Sequence, residues 1–203
     1  MFAAIRGDII KSVRLTLLFV IITGAIYSLG LTGVGQLLFH DQTNGSLITK
    51  GSTVVGSHLI GQEFSSPRYF WGRPSSTTDP ATGKAQPFAA DNSGGSNLAP
   101  SNPVLINRVR QSVKHLRAAD PAQKSQPVPV DLVTSDFSGL DPNISEAAAL
   151  YQVQRVAVAR GLPPSRVRAL VEANVQGRIL WVFGEPHVNV LQLNMALDSG
   201  GAG

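Results

Sequence analysis

Cysteine is absent from the 203 residues, which excludes a disulfide scaffold, thiolate metal ligation and a cysteine nucleophile together. Charge is scarce: Asp, Glu, Lys and Arg make up 15% of the chain, against ~25% in an average soluble protein. Histidine is sparse too. Its four copies, His40, His58, His115 and His187, stand singly with no H-x-x-x-H pair, so no zinc site is indicated. There is no G-x-S-x-G elbow and no G-x-x-x-x-G-K-[ST] phosphate loop. Ser57 and His58 are neighbours, but neighbours on a strand face opposite ways and cannot form a nucleophile–base pair. The residues alone show no catalytic site.

What the chain does have is apolar and concentrated. From Leu15 to Phe39 no side chain is charged, a run of 25 residues between Arg14 and His40. As a helix this would exceed ~35 Å, enough for the ~30 Å hydrocarbon core with some tilt. Arg6, Lys11 and Arg14 against Asp8 put two positive charges on residues 1–14, half the net +4 of the chain. The pI of 9.8 therefore describes a tail rather than a basic surface, and no nucleic-acid partner is implied. The positive-inside rule places that tail in the cytosol and residues 40–203 on the far side of the membrane. A cleaved signal peptide is the rival reading, but the apolar run is longer than a usual h-region and no A-x-A site follows.

Gly24, Ser28 and Thr32 recur every four residues and predict a stripe of small residues for another membrane helix. The alternative is that glycine is simply common in such helices. Thr32-Gly33-Val34-Gly35 superficially resembles a potassium filter, but a filter needs four such loops around a pore.

Beyond the anchor, the pieces Ser52–Val55 and Ser57–Ile60 read as short strands. Ser65–Pro103 carries six prolines yet also Tyr69-Phe70-Trp71 and Phe88, predicting an ordered excursion that docks on something. Arg68, Tyr69, Phe70, Trp71 and Arg73 form an Arg-plus-aromatic patch of the kind found at interfaces, or else core aromatics beside solvated arginines. Ser93–Asn97 reads as a turn needing positive φ, or as a backbone anion cradle.

Asn102-Pro103 starts an amphipathic helix to about Ala119, and Val130–Thr134 looks like a buried strand. A helix is expected at Glu146–Arg160, closed by Gly161, and another after Pro163-Pro164-Ser165 as far as Asn174. Ile179–Phe183 suggests a strand and Asn189–Leu197 a last helix, with Asn189 and Asn194 capping and packing. The sum is an α/β (α+β) extracytoplasmic domain, residues 40–203, tethered by a single transmembrane helix at 15–39 that follows the 1–14 tail.

Three groups of motifs carry a family resemblance. The first is Gly56-Ser57-His58-Leu59-Ile60-Gly61-Gln62 with Pro67-Arg68-Tyr69-Phe70-Trp71-Gly72-Arg73-Pro74-Ser75. The second is Ser93-Gly94-Gly95-Ser96-Asn97-Leu98 with Pro100–Pro103. The third runs through Pro129–Thr134, Ser138–Ser145 and Gly184–Leu191. In this order they resemble the C subunit of the bacterial Kdp potassium-transporting P-type ATPase. Ala99, Ser135-Asp136-Phe137 and His187 depart from that pattern.

The resemblance implies a non-catalytic subunit with no cofactor of its own, potassium and Mg-ATP being handled by its partners. Those partners are a channel-like potassium-binding subunit, a P-type ATPase subunit, a small single-span peptide and the lipid bilayer. It further implies a role in assembly and in raising the ATP affinity of the ATPase subunit. The alternative class is a signal-anchored binding or hydrolytic protein acting alone.

Overall fold

The computed structural model describes residues 2–200, with side chains from residue 5 onward, so the ends of the 1–14 tail and the 40–203 domain lie outside the described residues. The chain divides into two compact units, residues 1–46 and 47–203.

The first unit is a helix in three parts: α1 (Phe2–Val20), a π-helical stretch Ile21–Tyr27, and α2 (Ser28–Leu38). A short helix α3 (His40–Thr43) follows. Ile5–Leu38 is apolar and long enough to cross a membrane, and none of it is buried within the chain. Helix therefore extends beyond the uncharged run into the basic tail. The hydroxyls bond back along the axis: Thr23 to the Phe19 carbonyl (2.6 Å), Ser28 to that of Thr23 (3.1 Å), Thr32 to that of Ser28 (2.8 Å). In an apolar medium this keeps each polar group paired without a neighbour.

The second unit opens with the antiparallel hairpin β1 (Leu47–Lys50) and β2 (Thr53–Ser57). The expected strand at Ser57–Ile60 does not form; the Ser57 hydroxyl accepts the Leu59 amide (3.1 Å) and bends the chain there. Helix α4 (Pro103–Ala119) starts as its sequence demands, with the Asn102 side chain accepting the Val104 amide (2.9 Å) and Pro at the first turn.

The strand expected at Val130–Thr134 is instead a 3₁₀ turn, Val130–Leu132. Adjacent residues Leu132 and Val133 are both buried, which a strand's alternation would prevent and a turn allows.

Strand β3 (Asn143–Ser145) leads into α5 (Glu146–Arg160), where the Ser145 hydroxyl caps the Ala148 amide and Gly161 closes the helix at φ 68°. Helix α6 (Pro164–Ala173), β4 (Val175–Gln176), β5 (His187–Asn189) and α7 (Val190–Gly200) complete the unit. The sheet runs β3-β5-β4, all antiparallel, with Val188 of the central strand opposite both Ile144 and Val175. Ile144, Val156, Val167, Val188 and Leu193 are almost wholly buried between this sheet and α5, α6 and α7. The fold is mixed helix and sheet. Ile179–Phe183 is no strand of that sheet; it closes on itself in a tight hairpin turn with a single bridge between its ends.

Candidate docking surface

The segment Pro67–Trp71 has no strand to pair with, so side chains satisfy its backbone. The Asn194 amide accepts from the Phe70 N–H (2.8 Å) and donates to the Phe70 carbonyl (3.0 Å). One residue on, the Gln152 amide does the same for Trp71, at 2.8 and 3.0 Å. Both amides are almost fully buried, at 2% and 1% exposure. A primary amide presents one donor and one acceptor side by side, the same pair a neighbouring strand would offer.

Two arginines of α5 complete the seam. Arg155 donates to the carbonyls of Pro67 (2.7 Å) and Tyr69 (3.0 Å) and to Gln152 Oε1 (2.6 Å), and its guanidinium lies 3.8 Å from the Trp71 ring centroid. Burial lowers its pKa to about 10, partly opposed by Asp120. Arg160 donates to the Arg68 carbonyl (2.6 Å) and bridges to Asp198 (2.7 Å), whose other oxygen accepts from the Tyr69 hydroxyl (3.0 Å). The sequence reading missed Gln152, Arg155 and Arg160 altogether. Their polar identity inside the helical run Glu146–Arg160 was the available signal.

The five predicted patch residues therefore separate. Phe70 is wholly buried in this chain's own core and cannot touch a partner, a correction to its expected docking role. Trp71 is half-buried, stacked on His115 at 5.0 Å, with its indole N–H given to the Ser66 carbonyl (2.9 Å). Tyr69 is half-buried, Arg68 is exposed, and Arg73 faces Asp141 at 3.8 Å. A cavity of about 510 Å³ opens beside them, lined by Phe64, Trp71, Arg73, Phe88, His115 and Leu116 among others. The Arg73 Nε is buried there without a protein acceptor.

The rest of Ser65–Pro103 is ordered by similar stitches. The Ser75 hydroxyl donates to the Gly139 carbonyl (2.7 Å) and the Thr77 hydroxyl to that of Gln86 (2.6 Å). Within Ser93–Asn97 the positive φ falls on Asn97 rather than on a glycine. Gly95 is needed because a Cβ there would lie 3.0 Å from the Phe137 carbonyl oxygen. The Gly94 N–H is donated to Ser138 O (2.9 Å), which removes it from an anion cradle. Burial would raise the Asp136 carboxyl, but hydrogen bonds from the Ser138 hydroxyl and amide outweigh it and hold the pKa below 3.8.

In the other unit, Gly24 has open space where a side chain would be, and the Ser28 and Thr32 hydroxyls are turned onto their own helix. The hydroxyls of the expected stripe are thus taken up within the helix itself. Among the described residues, no three His, Asp or Glu side chains gather as a metal set.

An apolar helix long enough to span a bilayer, followed by a mixed domain in which buried amides and arginines satisfy the chain's own backbone, has the make-up of a protein with a candidate membrane anchor. A family model described as KdpC, the K+-transporting ATPase c chain, matches residues 9–199, and the chain belongs to that family. Among curated relatives, the potassium-transporting ATPase KdpC subunit of Variovorax paradoxus is 53% identical over 181 residues, covering 89% of this chain and 90% of that protein. That of Dechloromonas aromatica is 50% identical over 188 residues, 93% and 95% of the two chains. That of Methylobacterium nodulans is 51% identical over 203 residues, 98% of each. These relatives are named as subunits of a larger ATPase, which favours the reading as a subunit over that of a protein acting alone. The chain is a subunit in potassium transport.

Proposed function

We propose that this subunit assembles and stabilises an ATP-driven potassium importer, with residues 40–203 on the outer face and the N-terminal tail in the cytosol. Family membership carries this reading, joined to the charge asymmetry of the 1–14 tail about the apolar helix. The helix packs through Gly24, Ser28 and Thr32 against membrane partners, the small single-span peptide among them. The outer domain docks on the channel-like potassium-binding subunit through Arg68, the exposed edges of Tyr69 and Trp71, and Arg73.

The chain binds no cofactor and performs no chemistry; potassium and Mg-ATP are handled by the other subunits. It acts as a catalytic chaperone only at a distance. A domain outside the cell cannot touch cytosolic ATP, so any rise in the ATP affinity of the P-type subunit passes through the helix or the channel-like subunit as a coupling free energy.

Protease added to intact spheroplasts tests the placement. Cleavage of the outer domain with the tail left intact is expected. Protection of the domain until the membrane is breached would overturn the reading and restore direct nucleotide contact.

A further inference from the structure

Ile179, Leu180, Trp181, Val182 and Phe183 are consecutive, large and apolar, and all are exposed, Trp181 at 92%. A folded domain has no reason to hold five such residues in water unless something covers them. Nor is the stretch slack. Ile179 donates to the Phe183 carbonyl (2.9 Å) and Phe183 to that of Ile179 (3.0 Å), while Val182 also donates to Ile179 and Trp181 to Arg178. Closing so tight a turn forces Leu180 to φ 50° and Trp181 to φ 63°, a conformation that bulky L side chains rarely adopt.

We propose that this turn is a membrane-dipping tip that seats in the headgroup–acyl boundary of a lipid bilayer. Four of its five N–H groups are already bonded in or beside the turn, while the carbonyls of Leu180, Trp181 and Val182 have no protein donor among the described residues and suit the hydrated headgroup boundary rather than the hydrocarbon core. The charges that frame it cancel, since Arg178 grips Glu185 with both carboxylate oxygens at 2.9 and 2.7 Å. Trp and Phe among aliphatic residues is the composition of an interfacial anchor reaching ~5–10 Å deep.

Area argues against a protein groove as the occupant. Five side chains of this size offer roughly 600 Å², flanked at once by Gly177, Arg178, Gly184 and Glu185, whereas a stable protein interface takes ~800 Å² per partner. A bilayer, by contrast, is always at hand for a chain that carries its own candidate span. The proposal rests on that span and not on which side of the membrane the domain occupies.

The chain has two tryptophans, Trp71 and Trp181, so fluorescence reads the tip directly. The full chain is reconstituted in phosphatidylcholine–phosphatidylglycerol vesicles with and without bromine on the acyl chains, and the emission of Trp181→Phe is subtracted from that of the wild type. The expected Trp181 component is blue-shifted, quenched at least twofold by the brominated lipid, and poorly reached by aqueous iodide. Trp181→Tyr repeats the subtraction, and an unchanged Trp71 emission certifies both folds. A red, iodide-accessible component insensitive to bromine overturns the proposal. So does a component that bromine leaves untouched in the lone chain but that becomes shielded from iodide in the whole transport complex, because the cover is then protein.

Discussion

At the residue scale, the domain depends on two buried amides. Replacing Asn194 by Leu leaves both the N–H and the carbonyl of Phe70 without partners inside the core. An unsatisfied buried group costs ~1–3 kcal/mol, so N194L should lose about 2–4 kcal/mol in urea unfolding, with Gln152→Leu similar for Trp71. Exposed Arg68→Ala should change stability by less than ~0.5 kcal/mol.

Acid acts on the same seam. Burial pushes the Asp198 pKa up, but hydrogen bonds from Arg160 and Tyr69 and the charges of Arg160 and Lys50 outweigh it, leaving the folded value below 3.8. A depressed carboxylate adds stability that is complete above the unfolded pKa and fades as pH falls through the folded one. Stability should therefore hold above about pH 5 and decline below about pH 4. Asp198→Asn should flatten that decline in acid titrations of the unfolding midpoint.

At the element scale, local signals were legible where one residue performs one task. Asn102 and Ser145 cap helices, and Gly161 ends one in the left-handed conformation. Asn189 also caps, accepting the Gln192 amide at 3.1 Å while holding the His58 carbonyl. What the sequence hid was pairing across long separations. Nothing near Phe70 announces that its partner is Asn194, and a short apolar run such as Val130–Thr134 has no period long enough to tell strand from turn. The aromatic run Tyr69–Trp71 was visible, but which of its members faced inward depended on helices far along the chain.

The membrane helix yields its own test. Gly24→Leu with Ser28→Leu fills the open side of the stripe, and recovery of the intact complex from detergent should fall severalfold while insertion of the lone chain is unaffected. Equal recovery would remove the stripe from the assembly interface.

At the scale of the whole molecule, the two units have separate means of support. The helix is exposed along its length and satisfied by its own hydrogen bonds, whereas residues 47–203 enclose a core of their own. Proteolytic cleavage near Ser46 should leave a domain that keeps its near-ultraviolet circular dichroism and cooperative unfolding. Loss of that signal on cleavage would mean that the domain borrows its stability from the anchor.

The amide clasps at Phe70 and Trp71 grip main chain alone, and Arg155 and Arg160 likewise take hold of carbonyls. The rings of Tyr69, Phe70 and Trp71 are held by Asp198, the core and Arg155, but a fastening of the Arg68 carbonyl alone leaves the letter at 68 free to drift. A lineage could rewrite position 68 to follow a changing neighbour while the path of the strap stayed fixed, so that fit to a companion and soundness of build evolve on separate accounts.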